Sequence, residues 1–164
     1  MPPGKNMDDF YTILRSGMWR LTYKLTAEGR ARFFNEFLPL LGDSKSRVMG
    51  SRDADSWYLV YIGTKASARG KGYAKALITH VTALADAGGK ACYLESSNDV
   101  NPRIYAKYGF EVQKKVYLQR CVEHVELDLM VREPKLPVVQ AEAGTVKKRD
   151  SFLEKESEMR NETV

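Results

Sequence analysis

The sequence predicts an α/β domain (α+β in its detail) in which a mixed central sheet is flanked by helices. Residues 57–62 and 90–95 are short runs rich in aromatic and β-branched residues, as in buried strands. Residues 71–87 have helical periodicity, and the order strand, helix, strand gives a right-handed crossover between parallel strands. Residues 110–118 and 125–132 alternate in polarity and predict antiparallel neighbours with one solvated face.

The residues before this core predict helices. Residues 18–25 are compatible with a strand or a helix, and Thr26 is a suitable N-cap for a helix over about residues 27–41. The apolar residues of that helix recur at three-to-four spacing: Phe33, Phe34, Phe37, Leu38 and Leu41. Gly42 is expected to end the helix, and residues 44–56 predict a loop.

The sequence also indicates the faces and the ends of the helices and strands of this core. One apolar face is expected on the central helix: Ala74, Leu77, Ile78, Val81, Leu84 and Ala85. The glycine pair after Ala87 ends it, and Pro102 suits the first turn of a short helix that runs to about Lys107. In the next strand one face is expected to hold Phe110, Val112, Val116 and Leu118. In the last strand Val125, Leu127, Leu129 and Val131 are expected to face one way, and Glu126, Asp128, Met130 and Arg132 the other.

Composition excludes several classes of protein. At 164 residues the chain suits one domain with a tail. Two Cys and two His are too few for a disulfide framework or a His-rich site, so we expect no metal. The apolar runs are too short to span a membrane, and the first residues lack the apolar segment of a signal peptide. We therefore expect a cytoplasmic protein without a membrane partner, with the nucleus as an alternative location.

The formal net charge of +5 is mild, and its densest cluster is local. The cluster contains Lys65, Arg69, Lys71 and Lys75 with no acid between them. Such a cluster fits a small polyanion better than a nucleic-acid face. The aromatic residues follow buried-strand patterns instead of alternating with exposed Lys and Arg, so no nucleic-acid partner is expected.

The loop before the central helix, residues 63–74, has the chemistry of an anion site. Gly70 and Gly72 allow unusual backbone angles and close approach of a ligand. The free N–H groups and the dipole of the helix start favour an anion there. The spacing matches neither a P-loop nor a dinucleotide fingerprint. We interpret the loop as a phosphate or pyrophosphate cradle, with an ordinary strand-to-helix turn as the alternative.

The loop resembles the signature of the GCN5-related N-acetyltransferase (GNAT) superfamily, Gln/Arg-x-x-Gly-x-Gly/Ala. The matching positions are Arg69, Gly70, Lys71, Gly72, Tyr73 and Ala74. A second family segment, Asn-x(6)-Tyr-x-Lys-x-Gly-Phe, is matched from Asn98 to Phe110. The resemblance covers residues 57–132. The amino-acid sequence around the strands at residues 57–62 and 90–95 is similar to that of a fungal branch of the superfamily.

The resemblance implies a site for acetyl-CoA. The N–H groups of the Arg69–Ala74 loop would hold its pyrophosphate, and Asn98 would contact the cofactor near two splayed strands. The backbone at Ile62 and Thr64 would pair with the pantetheine arm. Tyr105 would lie beside the CoA sulfur and act as general acid on the departing thiolate.

The resemblance also implies direct attack by a substrate amine, which must first lose a proton. Glu95 is the candidate general base, with a strand-end carboxylate paired to a neighbour as the alternative. Cys92 is expected to be packed and unreactive, and His80 to face the surface. Trp57, Tyr58 and Tyr61 are expected in the core.

The family's fold normally has a strand, two helices and two more strands before the strand at residues 57–62. Residues 1–56 therefore predict a helix-rich and shortened first half, residues 57–133 the acetyl-CoA-binding core, and residues 134–164 a disordered tail. We expect an N-acetyltransferase acting on a primary amine of a small molecule or peptide, with a homodimer allowed. The alternative is an inactive CoA-binding or interaction protein.

Overall fold

The computed structural model describes residues 1–5, 10–120 and 125–135. The α-helices are α1 Phe10–Ser16, α2 Leu21–Lys24, α3 Ala27–Arg30, α4 Leu38–Met49, α5 Tyr73–Ala87 and α6 Asn101–Ala106. The strands are β1 Trp57–Leu59, β2 Cys92–Ser96, β3 Glu111–Leu118 and β4 Val125–Arg132. Turns of 3-10 helix occur at Met18–Arg20, Gly50–Arg52 and Ala66–Ala68, and a π-helical segment at Ala31–Phe37. From residue 136 onward, the predicted tail lies outside the described residues.

The four strands form one mixed sheet in the order β1, β2, β4, β3. β1 and β2 are parallel and are joined through α5, as the strand–helix–strand order predicts. β4 is antiparallel to both of its neighbours, β2 and β3. The predicted fold class, a mixed central sheet flanked by helices, is confirmed.

Helices cover both faces of the sheet. The α5 face holds one buried cluster: Ile78, Ala85, Cys92, Leu94, Phe110 and Met130. The α4 face holds a second: Met49, Ala91, Tyr93, Leu129 and Val131. Every residue from Leu127 to Arg132 is buried, because β4 lies between two other strands and under helices on both sides. The prediction that β4 has one solvated face is therefore wrong.

β3 contains a bulge between Val112 and Lys114. The extra residue shifts the alternation of side chains along the strand. Val112 pairs with Met130, whereas Val116 pairs with Leu127, and these two partners face opposite sides of β4. Val112 is consequently 45% exposed. The prediction that Val112 shares a face with Val116 is wrong because the alternation is interrupted.

The helical segment before the sheet is longer than the sequence predicts. Thr26 caps it as expected, since its hydroxyl accepts a hydrogen bond from the Gly29 N–H at 3.1 Å. The helix passes through Gly42 and continues to Met49. The predicted end at Gly42 is therefore wrong, and so is the predicted loop over residues 44–49. The buried side chains of Ser44 and Met49 show why, because packing on the sheet stabilises this last part of α4.

The central helix α5 begins after Gly72 and ends at Ala87, close to the predicted bounds. Its buried side chains are Ile78, Thr82 and Ala85. Leu77, however, is 58% exposed, and Leu84 is also exposed. The predicted apolar face is thus correct at its centre and wrong at these two leucines. Leu77 borders a cavity between α5 and β1 and does not pack tightly on the sheet.

An ion pair fixes the end of α5 to the sheet. The Arg132 guanidinium, 3% exposed as a residue, donates to both carboxylate oxygens of Asp86 at 2.8 and 2.7 Å. Arg132 Nε also donates to the Tyr108 carbonyl oxygen at 2.9 Å. Together these bonds join α5, β4 and the turn before β3. The hydrogen bond from Arg132 holds the pKa of Asp86 below its ordinary value.

Asp86→Ala is expected to lower the free energy of unfolding by about 3 kcal/mol, because it leaves a buried guanidinium unpaired. Urea titration measures the loss. Glu28→Ala is the matched control, since it breaks an exposed pair with Arg32, and it should leave the urea midpoint unchanged.

The stabilisation that Asp86 contributes is fully present above its ordinary pKa of about 4. It is lost as the pH falls through its lowered pKa, so the two proteins should converge in acid. An unchanged midpoint for Asp86→Ala at neutral pH would contradict this role.

Candidate functional site

β1 and β2 separate soon after they begin to pair. Their last paired residues are Leu59 and Leu94. The backbone from Tyr61 to Thr64 makes no backbone hydrogen bond with any described residue. An opening therefore lies between the two strands at their carboxyl ends, where parallel strands of an α/β sheet form ligand sites.

The two predicted backbone sites, Ile62 and Thr64, lie on this separated segment. Ile62 is half-buried and packs against the cluster on the α5 face. Thr64 is also half-buried, and its N–H and carbonyl group are available for pairing with an extended ligand. Tyr61 is 89% exposed. The prediction that it belongs to the core is wrong, because the strand ends two residues earlier, at Leu59.

The predicted phosphate cradle comes directly after this segment in the chain. Its first part, Ala66–Ala68, is a turn of 3-10 helix, and Arg69 is extended. Gly70 and Gly72 have φ angles of 77° and 78°, a region that side chains with a Cβ rarely adopt. A Cβ added at either glycine would meet no described atom within 4 Å, so the space in front of the loop is open.

The N–H groups at the start of α5 are free to bind an anion. The first hydrogen bond of the helix runs from the Ala76 N–H to the Gly72 carbonyl oxygen at 3.0 Å. The N–H groups of Tyr73, Ala74 and Lys75 have no backbone partner among the described residues. Exposed Arg69 and Lys71 add positive charge beside them. Open space, free donors and positive charge fit a phosphate or pyrophosphate group.

Asn98 lies in the loop after β2 and begins the turn into α6. Its side-chain oxygen accepts a hydrogen bond from the Val100 N–H at 2.8 Å, and its carbonyl oxygen accepts one from the Asn101 N–H at 3.1 Å. Its side-chain NH₂ group makes no hydrogen bond with a described residue, and it remains available for a ligand.

Tyr105 lies on the α5 face of the sheet. It is half-buried in α6, with its ring 5.9 Å from that of Phe110 in an edge-to-face arrangement. Burial raises the pKa of Tyr105 above its ordinary value. The hydroxyl is therefore protonated at neutral pH and can donate a proton.

Glu95 lies on the opposite, α4, face at the same opening. Its Oε2 accepts a hydrogen bond from the Tyr58 hydroxyl at 2.8 Å, whereas Oε1 is buried without a hydrogen-bond partner among the described residues. Burial raises the pKa of Glu95, and the nearby hydroxyls of Tyr58 and Tyr93 offset part of that rise. A carboxyl group with a raised pKa is suited to accept a proton near neutral pH.

A cavity of about 400 Å³ adjoins Glu95 on this face. The helical segment before the sheet supplies one wall with Phe33, Phe37 and Leu41, and Leu118 and Leu127 line the other. Sequence reasoning missed these residues as site residues. Their helical spacing identified the apolar face of the segment, but which part of the sheet the segment covers depends on the tertiary structure.

Two other candidates have no role in the arrangement. Cys92 is buried, and burial raises the pKa of its thiol, so it is packed and unreactive as predicted. His80 is exposed on α5, also as predicted. Among the described residues, no group of three or more His, Cys, Asp or Glu side chains is placed to hold a metal ion. In the same part of the chain, no helix has the length and apolar composition needed to cross a membrane.

The amino-acid sequence is similar to those of known proteins. Residues 43–112 match the family described as the acetyltransferase (GNAT) domain. An uncharacterized N-acetyltransferase of Schizosaccharomyces pombe is 53% identical over 134 residues, covering 82% of this chain and 54% of that protein. The chain thus spans about half the length of this relative.

A solved structure from Corynebacterium glutamicum, of a histone acetyltransferase HPA2 and related acetyltransferase, is 32% identical. The match covers 51% of this chain and 44% of the other. The TM-score of this match is 0.42.

Proposed function

Because the chain belongs to the GNAT family of acetyltransferases, we propose that it transfers an acetyl group from acetyl-CoA to a primary amine. One observation carries the proposal: the opening between β1 and β2 has a free-donor cradle beside it and a buried carboxylate on its far face. The family match supports the reaction class. The arrangement of charge supports the two substrates, because a polyanion suits the cradle and an ammonium group suits Glu95.

The residues present fit acetyl-CoA. The N–H groups of Tyr73 and Ala74, with Arg69 and Lys71, would hold its pyrophosphate, where a Cβ at Gly72 would meet empty space. The free backbone at Ile62 and Thr64 and the NH₂ group of Asn98 would hold the arm that leads to the sulfur. When bound, acetyl-CoA supplies an acetyl group as a thioester, which a neutral amine attacks directly.

Glu95 and Tyr105 would move the protons of this reaction. Glu95 Oε1 takes one proton from the substrate ammonium, which leaves a neutral amine whose lone pair forms the new C–N bond. As the C–S bond breaks, the Tyr105 hydroxyl would donate its proton to the departing sulfur, and the new amide nitrogen would release its second proton to solvent. Glu95 and Tyr105 then exchange protons with solvent, and the products are an amide, the free CoA thiol and one proton.

Tyr105→Phe is expected to slow turnover by roughly 10²-fold while leaving the affinity for acetyl-CoA unchanged, because it removes one proton donor and keeps the ring. Thiol release gives the rate, and calorimetry gives the affinity. Tyr108→Phe is the matched control, since this tyrosine packs against the same cluster three residues later. A wild-type rate for Tyr105→Phe would remove its role as acid.

The test of the proposed function is a calorimetric titration of the whole chain with acetyl-CoA, followed by amine-dependent thiol release on a broad panel of amines. Binding and turnover would support it. An absence of acetyl-CoA binding would overturn it, and binding without turnover would favour the inactive alternative. The cytoplasmic location and the homodimer stay predictions.

A further inference from the structure

We propose that the 400 Å³ cavity beside Glu95 binds the substrate amine, and that this amine carries a single apolar, ring-sized group. The inference rests on the proposed function, because it names the class of amine for that reaction. The cavity and the side chains around it carry the argument.

The walls of the cavity are apolar. Phe33 and Phe37 stack with their ring centroids 5.8 Å apart, so they present a preformed aromatic surface. Leu41 continues this wall along α4, and Leu118 of β3 and Leu127 of β4 form the opposite one. Aromatic and aliphatic walls of this kind bind apolar ligand groups, and a few polar groups orient the ligand.

Among the residues that the structure describes, the lining holds one carboxylate, Glu95, and no Lys, Arg or His side chain. Its buried Oε1 has no partner among the described residues, and a primary ammonium would supply one. Three other titratable groups face Glu95: Tyr58 of β1, Tyr93 of β2 and Lys45 of α4. Lys45 is already paired with Asp53, so it does not compete for the free oxygen.

This single carboxylate argues against a polyamine. A second ammonium group would be placed among phenylalanine and leucine side chains without an anion to pair with, which is strongly unfavourable. A peptide segment would meet the same difficulty, because its N–H and C=O groups would find few partners in the cavity wall. An amine with an apolar remainder leaves no polar group unpaired.

The volume fits a small ligand. Ligand sites commonly measure roughly 300–1,000 Å³, and an apolar cavity of about 150 Å³ holds a benzene molecule. A cavity of about 400 Å³ therefore has ample room for one ring, a short linker and the amine. 2-Phenylethylamine is the probe of this size and composition.

The apolar walls would also help to deprotonate the substrate. Removal of water from an ammonium group lowers its pKa, and burial raises the pKa of Glu95. The two proton affinities thus move toward each other, which favours transfer to Glu95 Oε1. The ammonium group of a polyamine that stays in contact with water would keep a higher pKa and would give up its proton less readily.

The test compares 2-phenylethylamine with 1,4-diaminobutane by calorimetry on the whole chain in the presence of CoA. We expect the aromatic amine to bind at least tenfold more tightly, since it buries its ring. Phe37→Ala should remove most of this preference. Phe34→Ala is the matched control, because this ring also contacts Phe33 yet does not line the cavity. Equal or tighter binding of the diamine to the wild-type chain would overturn the inference.

Two further measurements separate the possible failures. Leu41→Trp fills the cavity instead of emptying it, so a fold defect in Phe37→Ala would not hide the result. It should reduce affinity for the aromatic amine at least tenfold, and unchanged affinity would count against the cavity. Turnover that favours the diamine, with acetyl-CoA bound, would overturn this inference alone. An absence of acetyl-CoA binding would overturn the proposed function, whatever the amine result.

Discussion

Gly72→Glu is expected to abolish the binding of acetyl-CoA, with a loss of at least roughly 10²-fold in affinity. The new carboxylate would enter the open space in front of the N–H groups of Tyr73 and Ala74. Two unit charges about 4 Å apart repel by about 4 kcal/mol at an effective dielectric constant of 20, which is enough for this loss. The φ of 78° at this position adds backbone strain for any residue with a Cβ.

Two control variants separate charge, strain and general disturbance. Gly72→Ala introduces the strained Cβ without the charge, and we expect it to bind acetyl-CoA more weakly than wild type but measurably. Gly42→Glu adds the same charged side chain to α4, where a Cβ meets nothing within 4 Å and φ is not positive. It should bind as wild type does. Calorimetry measures all three, and wild-type affinity for Gly72→Glu would refute the cradle.

Glu95→Gln is expected to lower the rate of amine acetylation by roughly 10²- to 10³-fold at neutral pH, because glutamine keeps the shape of the side chain but cannot accept the proton. Affinity for acetyl-CoA should be unchanged, since Glu95 lies on the face away from Tyr105. Glu111→Gln, an exposed position on β3, is the matched control.

The pH profile distinguishes a proton acceptor from a structural carboxylate. Glu95 must be ionised to accept a proton, so the wild-type rate should rise with pH through its pKa. Burial raises that pKa, which puts the rise above the ordinary glutamate value of about 4.3. Glu95→Gln should lose this limb of the profile. An unchanged pH profile in the variant would contradict the role of Glu95 as general base and would support the alternative, a structural carboxylate paired with Tyr58.

The strand–helix–strand core was predictable because its signals are local. Gly70, Gly72 and the apolar run that begins at Trp57 indicate their own backbone states without reference to distant residues. The residues around Gly42 were not predictable in the same way. A glycine followed by polar residues usually ends a helix, but here Met49 packs under the sheet and the helix continues to reach it.

The residues of the candidate site differ in the same way in how far the sequence predicts them. Arg69, Gly72, Tyr105 and Glu95 were predicted as site residues from motif spacing or strand position. Phe33 and Phe37 were identified only as one apolar face, since periodicity does not show what covers that face. Val112 shows the corresponding limit in a strand, because a single extra residue in the ladder moved it to the other side of the sheet.

The ion pair between Arg132 and Asp86 has a consequence for ligand affinity. It anchors α5 at Asp86, one residue before its end, and the cradle lies at the opposite end, about 20 Å along the helix. A helix anchored in this way keeps the direction of its first N–H groups before any ligand arrives. The entropy of ordering these donors is thus lost during folding and not during binding, so an anion meets a preorganised site. Loosening the far end of α5 should therefore weaken binding at the cradle without changing any residue that touches the ligand.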